Sequence, residues 1–363
     1  MHIVTFERRE PARSNATRHG RPGPGSMEAA ALGFETLDAT RRGARRLGAL
    51  LPSGAHAGTV VDLNRAFAVK LAAEDAGAPE AEADSLLPSD ALHFVQHLPG
   101  SLDAARTALD FALHSLDRYD ALDLTSAGVI MPRKGVRLCA PVPHPGKILG
   151  VARNYGAHAS ERGEQSAAPQ PVLFLKAPTA VIGPEDDIVI PAACSQADYE
   201  GELAAVISHR THCVRVRDAL RSVAGYCVAN DVTARDYQNA RGQHFLGKSC
   251  DTFAPLGPAL VTADEIPDPQ DLSIRTSLSG DVVQTGNTKE MRFSVAEIIA
   301  FASQLMTLEP GDVVLTGTPA GVGAARTPPR WLGDGDVVEV EIERLGRLAN
   351  YVREAARRGE AGA

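Results

Sequence analysis

The sequence predicts an α+β fold, mainly β, in which a small α/β unit precedes a larger β-rich unit. Beyond Lys147, short apolar runs are separated by Gly, Pro and Asp, the texture of a mixed β-sandwich or barrel-like core. Before residue 135, two stretches, Asn64 to Ala76 and Leu102 to Leu116, instead carry helical apolar spacing. Between these regions, Pro141-Val-Pro-His-Pro-Gly146 marks a linker that no helix can cross. The expected division is an N-terminal accessory domain over 1–135 and a main domain over 141–354.

Met1 to Phe6 reads as a strand, with Arg46 to Leu51 and Gly58 to Leu63 as its β partners. Residues 8–40 interrupt it with Arg, Pro, Gly, Ser and Asn, a composition that buries too little apolar surface to order itself, so a flexible insertion is expected. Ser101 stands where the second helix needs an N-cap. In the main domain the expected strands are 147–151, 172–176, 187–191, 200–208, 225–230, 259–262, 274–278, 313–316 and 337–343. Ser294 and Glu297 form a capping box opening a helix to Met306, and Glu309-Pro-Gly-Asp312 supplies the stop.

Several function classes are disfavoured by composition. A net charge of -8, with no dense Lys/Arg stripe, argues against a nucleic-acid binder. No apolar run has the length of a membrane span, and the first residues lack the apolar core of a signal peptide, so a soluble, cytoplasmic protein is expected. Five widely spaced cysteines without a Cys-x-x-Cys pair disfavour disulfides and zinc, and fit a reducing compartment. The chain has no Walker A loop and no Gly-x-Gly-x-x-Gly between strand and helix, which disfavours a nucleotide cofactor.

Candidate chemistry begins at Ala-Asp-Tyr-Glu-Gly-Glu-Leu, where Glu200 and Glu202 share a strand face that continues with the apolar Ala204 and Val206. Asp231 ends the next apolar run. Three carboxylates at strand ends suggest a hard metal ion, because buried like charges need a cation or a proton. The chain contains a control, since Glu339, Glu341 and Glu343 have the same spacing on a face with only Val337 for apolar company. That second face reads as solvated.

His158 and Glu161 lie three apart after a strand, on one face if the turn is helical, and a carboxylate beside an imidazole makes a general base able to draw a proton from water. The loop-like residues after Gly163 suggest that this short helix belongs to a mobile lid. Downstream of Asp231, the cluster of Arg235, Gln238, Arg241, Gln243 and Lys248 suggests an anionic substrate, with Lys248 against a developing oxyanion or a substrate carboxylate. The Gly317-Thr318-Pro319 turn, closed by Gly321, offers amides and a hydroxyl that could hold a carboxylate.

These segments occur together and in order: Arg-Asn-Tyr-x-x-His-x-x-Glu, Pro-Val-Leu-Phe-Leu-Lys, Tyr-Glu-x-Glu-Leu, Asn-Asp-Val-Thr-Ala-Arg-Asp, Gly-Lys-Ser-Cys-Asp and Leu-Glu-Pro-Gly-Asp-Val-Val-Leu-Thr-Gly-Thr-Pro. From about Lys147 to Leu345 the chain resembles the fumarylacetoacetate hydrolase family, and its N-terminal part resembles the accessory domain some members carry. The resemblance implies a mixed β-roll core, a homodimer, and Mg²⁺ or Mn²⁺, sometimes Ca²⁺, held by Glu200, Glu202 and Asp231. It implies further that His158 and Glu161 activate water in a lid, that Lys248 completes the site, and that Tyr155, Arg235, Gln238, Gln243 and Thr318 lie near the ligand. Two departures concern substrate choice: Val151-Ala152-Arg153 stands where many relatives read Gly-Leu before Asn-Tyr, and His244 stands where relatives often have an aromatic residue.

The expected activity is hydrolysis of a C–C bond in an acylpyruvate- or fumarylpyruvate-type 2-oxo acid of aromatic or related catabolism. In that scheme the metal chelates the 2-oxo acid, water attacks a second carbonyl, and Lys248 helps to stabilise the released enolate. If only a proton moves, the same site gives an isomerase or tautomerase of 2-hydroxyhepta-2,4-diene-1,7-dioate type. If CO₂ leaves, it gives an oxaloacetate-type decarboxylase. A non-catalytic metal-binding homologue is the remaining alternative.

Overall fold

The computed structural model describes residues 1–9, 44–117, 121–161, 168–240 and 244–356, with backbone only at 121, 122 and 240. Most of the insertion expected over 8–40 lies outside these residues, as do Arg241 and Gln243. Two compact units are present, Met1–Leu138 and Cys139–Ala363.

In the first unit, β1 (His2–Arg8), β2 (Arg46–Leu50), β3 (Thr59–Asp62) and β4 (Ile130–Pro132) pair antiparallel in sequence order, and β5 (Val136–Cys139) also pairs with β1. Among the described residues, five helices follow or separate them: α1 (Leu63–Ala73), α2 (Pro79–Leu86), α3 (Ala91–Gln96), α4 (Gly100–Leu116) and α5 (Ala121–Ser126). Asp62 starts α1 by accepting from Arg65 N at 3.0 Å, and its fully buried carboxylate is paired with Arg46. The N-cap expected at Ser101 is corrected here. Helix α4 starts two residues earlier, at Gly100 with Pro99 as N-cap, and Ser101 Oγ instead donates to Phe94 O at 2.6 Å, tying α4 to α3.

The second unit holds two sheets. One runs in the order β14 (Ala254–Thr262), β12 (Val223–Asn230), β11 (Gly201–Ile207), β17 (Val313–Leu315), β6 (Ile148–Ala152) and β7 (Val172–Lys176); all neighbours are antiparallel except β17 and β6. The other runs β16 (Asp281–Asn287), β15 (Ser273–Leu278), β18 (Val337–Ile342), β19 (Gly346–Glu354) and β9 (Ile188–Ile190). Short pieces complete it: β8 (Val181–Ile182) on β14, and β10 (Ala197–Asp198) paired with β13 (Thr233–Ala234). The core joins Leu203, Ala205, Ile207, Tyr226 and Val228 of the first sheet to Ile274, Val338, Val340, Ile342 and Leu348 of the second.

Beside the sheets stand α6 (Gly156–Glu161), α7 (Val216–Ala219), α8 (Arg235–Ala240), α9 (His244–Lys248) and α10 (Val295–Leu305). Helix α10 opens with the expected Ser294–Glu297 capping box and buries Val295, Ile298 and Ile299. Strands β16 and β19 were not anticipated, and β14 begins five residues before the expected start, with Gly257-Pro258 inside it.

The position of Gly201 follows from this packing. Alternation sends Glu200 and Glu202 to one face of β11, so the residue between them faces the second sheet. A Cβ at Gly201 would lie 2.2 Å from Thr276 Oγ1 and 3.0 Å from Val340 Cγ1, so the sheets meet at a distance only glycine allows.

Candidate active site

Glu200, Glu202 and Asp231 converge at the ends of β11 and β12, each offering an oxygen within 4.8 Å of the others, and all three are buried. Backbone pairing brings them together: Asp231 N donates to Glu200 O at 2.8 Å, and Glu200 N donates to Asn230 Oδ1 at 3.0 Å. Lys248 Nζ, from α9, reaches Glu200 Oε2 at 2.6 Å and Asp231 Oδ2 at 2.5 Å. Lys176 ends β7 with its Nζ 2.6 Å from Asp231 Oδ1 and 3.1 Å from Val232 O. Arg235 spans Asp198 Oδ2 at 2.9 Å and Glu200 Oε1 at 2.6 Å.

Together Asp198, Glu200, Glu202 and Asp231 face Lys176, Lys248 and Arg235, which leaves one negative charge uncompensated when all are ionised. The excess falls on Glu202, whose one hydrogen bond among the described residues comes from Gly317 N at 2.7 Å. Burial, then Asp231 and Glu200, push its carboxyl well above the usual range. Glu200 behaves oppositely: burial opposes its charge, but Lys248 and Arg235 overcome it and hold the carboxyl well below the usual range. Burial also pulls Lys176 down against the opposing pull of Asp231, whereas at Lys248 the burial penalty is outweighed by Asp231 and Glu200. All-oxygen donors with a net negative charge and an under-compensated glutamate fit a hard divalent cation.

His158 and Glu161 lie on α6, with Nδ1 and Oε1 2.8 Å apart. The other oxygen of Glu161 accepts from Gly321 N at 2.9 Å. Both residues are one helical turn apart, as their spacing predicts, and His158 lines a cavity of about 280 Å³ that also exposes Glu200, Glu202, Arg235, Lys248 and Thr318. A family model for the C-terminal domain of fumarylacetoacetate hydrolase matches residues 147–353, which span this entire arrangement.

The chain belongs to the fumarylacetoacetate hydrolase family. A human protein named mitochondrial oxaloacetate tautomerase is 41% identical over 271 residues, 74% of this chain and 81% of that protein. Among solved structures, a 2-hydroxyhepta-2,4-diene-1,7-dioate isomerase from Mycobacterium marinum is 40% identical, with a TM-score of 0.56, covering 63% of this chain and 82% of that one. A fumarylacetoacetate hydrolase from Exiguobacterium antarcticum is 34% identical, with a TM-score of 0.66, covering 89% of this chain and 99% of that one. The chain is therefore a fumarylacetoacetate hydrolase superfamily enzyme.

Within this family member the substrate-side residues take distinct places. Gln238 accepts from Arg235 Nη1 at 3.0 Å and contacts His244 Nδ1 through Nε2 at 3.0 Å, and both Gln238 and His244 line the cavity. Thr318 also lines it, but its hydroxyl donates to Gly201 O and accepts from Gln284 Nε2, each at 2.8 Å. The Gly317 and Gly321 amides, expected to hold a carboxylate, donate to those of Glu202 and Glu161. Tyr155 is buried rather than among the lining residues; its hydroxyl has no hydrogen-bond partner among the described residues, and burial, then Glu202, push its ionisation upward.

The sequence reading overlooked Lys176, Asp198 and Gln284. Lys176 left one visible trace, a lysine ending an otherwise apolar strand. Asp198 anchors Arg235 while accepting from Gly323 N and Ala324 N at 2.7 and 3.1 Å. Gln284 binds Gly201 N at 3.0 Å and Thr318 Oγ1, joining the second sheet to the turn.

Proposed function

We propose that this enzyme interconverts keto and enol forms of a small 2-oxo acid of the oxaloacetate type, using a divalent metal. The observation that carries the reading is the identity with the human oxaloacetate tautomerase across 74% of the chain. The cavity supports it, because it is small for a ligand pocket and combines buried carboxylates with His158. Mg²⁺ or Mn²⁺ at Glu200, Glu202 and Asp231 would stabilise negative charge on the 2-oxo oxygen.

His158 supplies the proton chemistry. With Nδ1 committed to Glu161, Nε2 is the nitrogen left to take a proton from the carbon beside the ketone. Glu161 then holds the imidazolium, itself fixed by Gly321 N, and the same proton returns to the ketone oxygen to give the enol. Lys248 holds Glu200 and Asp231 in place with two of its N–H groups and keeps a third for a substrate oxygen. All five cysteines are free thiols, which fits a reducing compartment such as the cytosol or the mitochondrial matrix. No helix among the described residues is long and apolar enough to cross a membrane.

C–C bond hydrolysis, which the sequence favoured, is the second reading. It is supported by the same His158–Glu161 pair, which can equally draw a proton from water, and by the likeness to the Exiguobacterium hydrolase. Spectroscopic decay of the enol of oxaloacetate, with product analysis for acylpyruvates, separates the two. His158→Ala is expected to lower tautomerase kcat by about 10² to 10⁴, the usual size of a general acid–base contribution. Unchanged turnover would remove His158 from the mechanism, and cleavage of acylpyruvates without tautomerase activity would replace the first reading with the second.

A further inference from the structure

We propose that Tyr155 is a positioning residue for the metal centre: its buried hydroxyl is the donor that completes the hydrogen bonding of Glu202 when a divalent cation is bound. This deepens the reading of Glu200, Glu202 and Asp231 as metal ligands and rests on it. Tyr155 is 1% exposed, and its hydroxyl has no hydrogen-bond partner among the described residues. A buried hydroxyl in that position has given up its bonds to water, so it points to a partner that joins with a bound ion or ligand. Glu202 is the counterpart. Its one hydrogen bond among the described residues comes from Gly317 N, whereas Lys248 and Arg235 hold Glu200, and Lys248 and Lys176 hold Asp231. Carboxylates that ligate a metal are themselves hydrogen-bonded, so Glu202 lacks the support its two neighbours have.

The fold keeps this donor and this acceptor in one corner. Asn154, fully buried, donates from Nδ2 to Thr316 O at 2.8 Å and to Phe293 O at 2.9 Å, and its Oδ1 accepts from Phe293 N at 2.9 Å. Arg292 N adds a bond to Asn154 O at 2.7 Å, and Tyr155 itself bridges to Met291. The backbone that carries the phenol is therefore fixed. Gly317, next to Thr316, packs so closely that a Cβ there would lie 2.7 Å from Asn154 Cβ, and its amide is the one bound to Glu202 Oε2. Glu202 thus reaches the neighbour of Tyr155 through Gly317 alone. Burial first, then Glu202 and after it Glu290, resist ionisation of the phenol, so it meets a carboxylate as an O–H donor. Tyr155 also opens α6, accepting from Ala159 N at 3.0 Å, so a bond from its hydroxyl would register the helix of His158 to the triad.

The test uses the full chain, with Mn²⁺ as the probe. Tyr155→Phe should raise the Kd for Mn²⁺, read by electron paramagnetic resonance, by about tenfold, the lower end of what a hydrogen-bond partner of a metal ligand contributes. Without metal the same variant should unfold in urea at the native midpoint or above it, since the hydroxyl makes no bond there. The two measurements together separate positioning from packing. Glu290→Gln should leave the Kd unchanged; a loss equal to that of Tyr155→Phe would give the hydroxyl to Glu290 and overturn the proposal. Affinity of the Mn²⁺-loaded protein for oxalate should be the same with Tyr155 and with Tyr155→Phe. Weaker oxalate binding at unchanged Mn²⁺ affinity would make the hydroxyl a substrate contact. A lower urea midpoint without metal, or failure of the variant to fold, would make it a packing group, and either result overturns the proposal. A native chain that binds no Mn²⁺ would refute the metal centre and the role of Tyr155 with it, whereas native binding that Tyr155→Phe leaves intact refutes the role of Tyr155 alone.

Discussion

Glu200 and Glu202 belong to a strand covered on both faces, whereas Glu339 and Glu341 occupy the open face of β18. Both strands are interior to their sheets, β11 between β12 and β17, β18 between β15 and β19. Their glutamate spacing is identical. What differs is the second face: every residue of β11 is buried, but in β18 only Val338, Val340 and Ile342 are. The Glu200 side chain is 7% exposed, against 28% for Glu339 and 48% for Glu341. The exposed pair is answered by surface arginines, Arg347 and Arg275, while the buried pair draws in Lys248, Arg235 and backbone amides. Spacing thus puts two carboxylates on one face, and only the covering of that face turns them into a candidate metal site.

The largest test of this contrast replaces both members of each pair. Glu200→Ala with Glu202→Ala should abolish Mn²⁺ binding, read by electron paramagnetic resonance, together with metal-dependent turnover. Glu339→Ala with Glu341→Ala should leave both intact. Retained Mn²⁺ binding in the first double variant would refute the ligand assignment.

The next compares cations. Lys176→Met strands Asp231 in a buried setting and should destabilise the fold by about 3 kcal/mol in urea unfolding. Arg275→Met, which breaks the exposed partner of Glu341, should cost less than about 1 kcal/mol. Comparable values for the two would mean that Lys176 is not balancing a buried charge.

The smallest effect concerns the residue between the acids. Gly201→Ala places a methyl against Thr276 and should cost about 2 kcal/mol, with metal affinity reduced as β11 shifts. A neutral result would show that the two sheets can separate there at no cost.

Local pattern made much of this legible. The capping box of α10, the helical spacing of His158 and Glu161, and the apolar continuation of the Glu200 face each depend on residues within a turn or strand of one another. Lys176 was illegible because its partner, Asp231, lies 55 residues away, and nothing near Lys176 announces a carboxylate. Asp198 and Gln284 were missed for the same reason, since their partners are brought to them by sheet packing. Strand β19 escaped notice because only Leu348, Asn350 and Val352 of its nine residues are buried, so its alternation includes a polar residue on the inner face.

The turn from Gly317 to Gly321 holds Glu202 by one terminal amide and Glu161 by the other, while Thr318 fastens its middle to Gly201. It works as a ruler made of peptide backbone. The spacing between the triad and the imidazole's carboxylate is written in main-chain atoms, so replacing side chains around the cavity leaves that spacing alone. Side chains that line the cavity can therefore change while the interval between Glu202 and Glu161 stays constant.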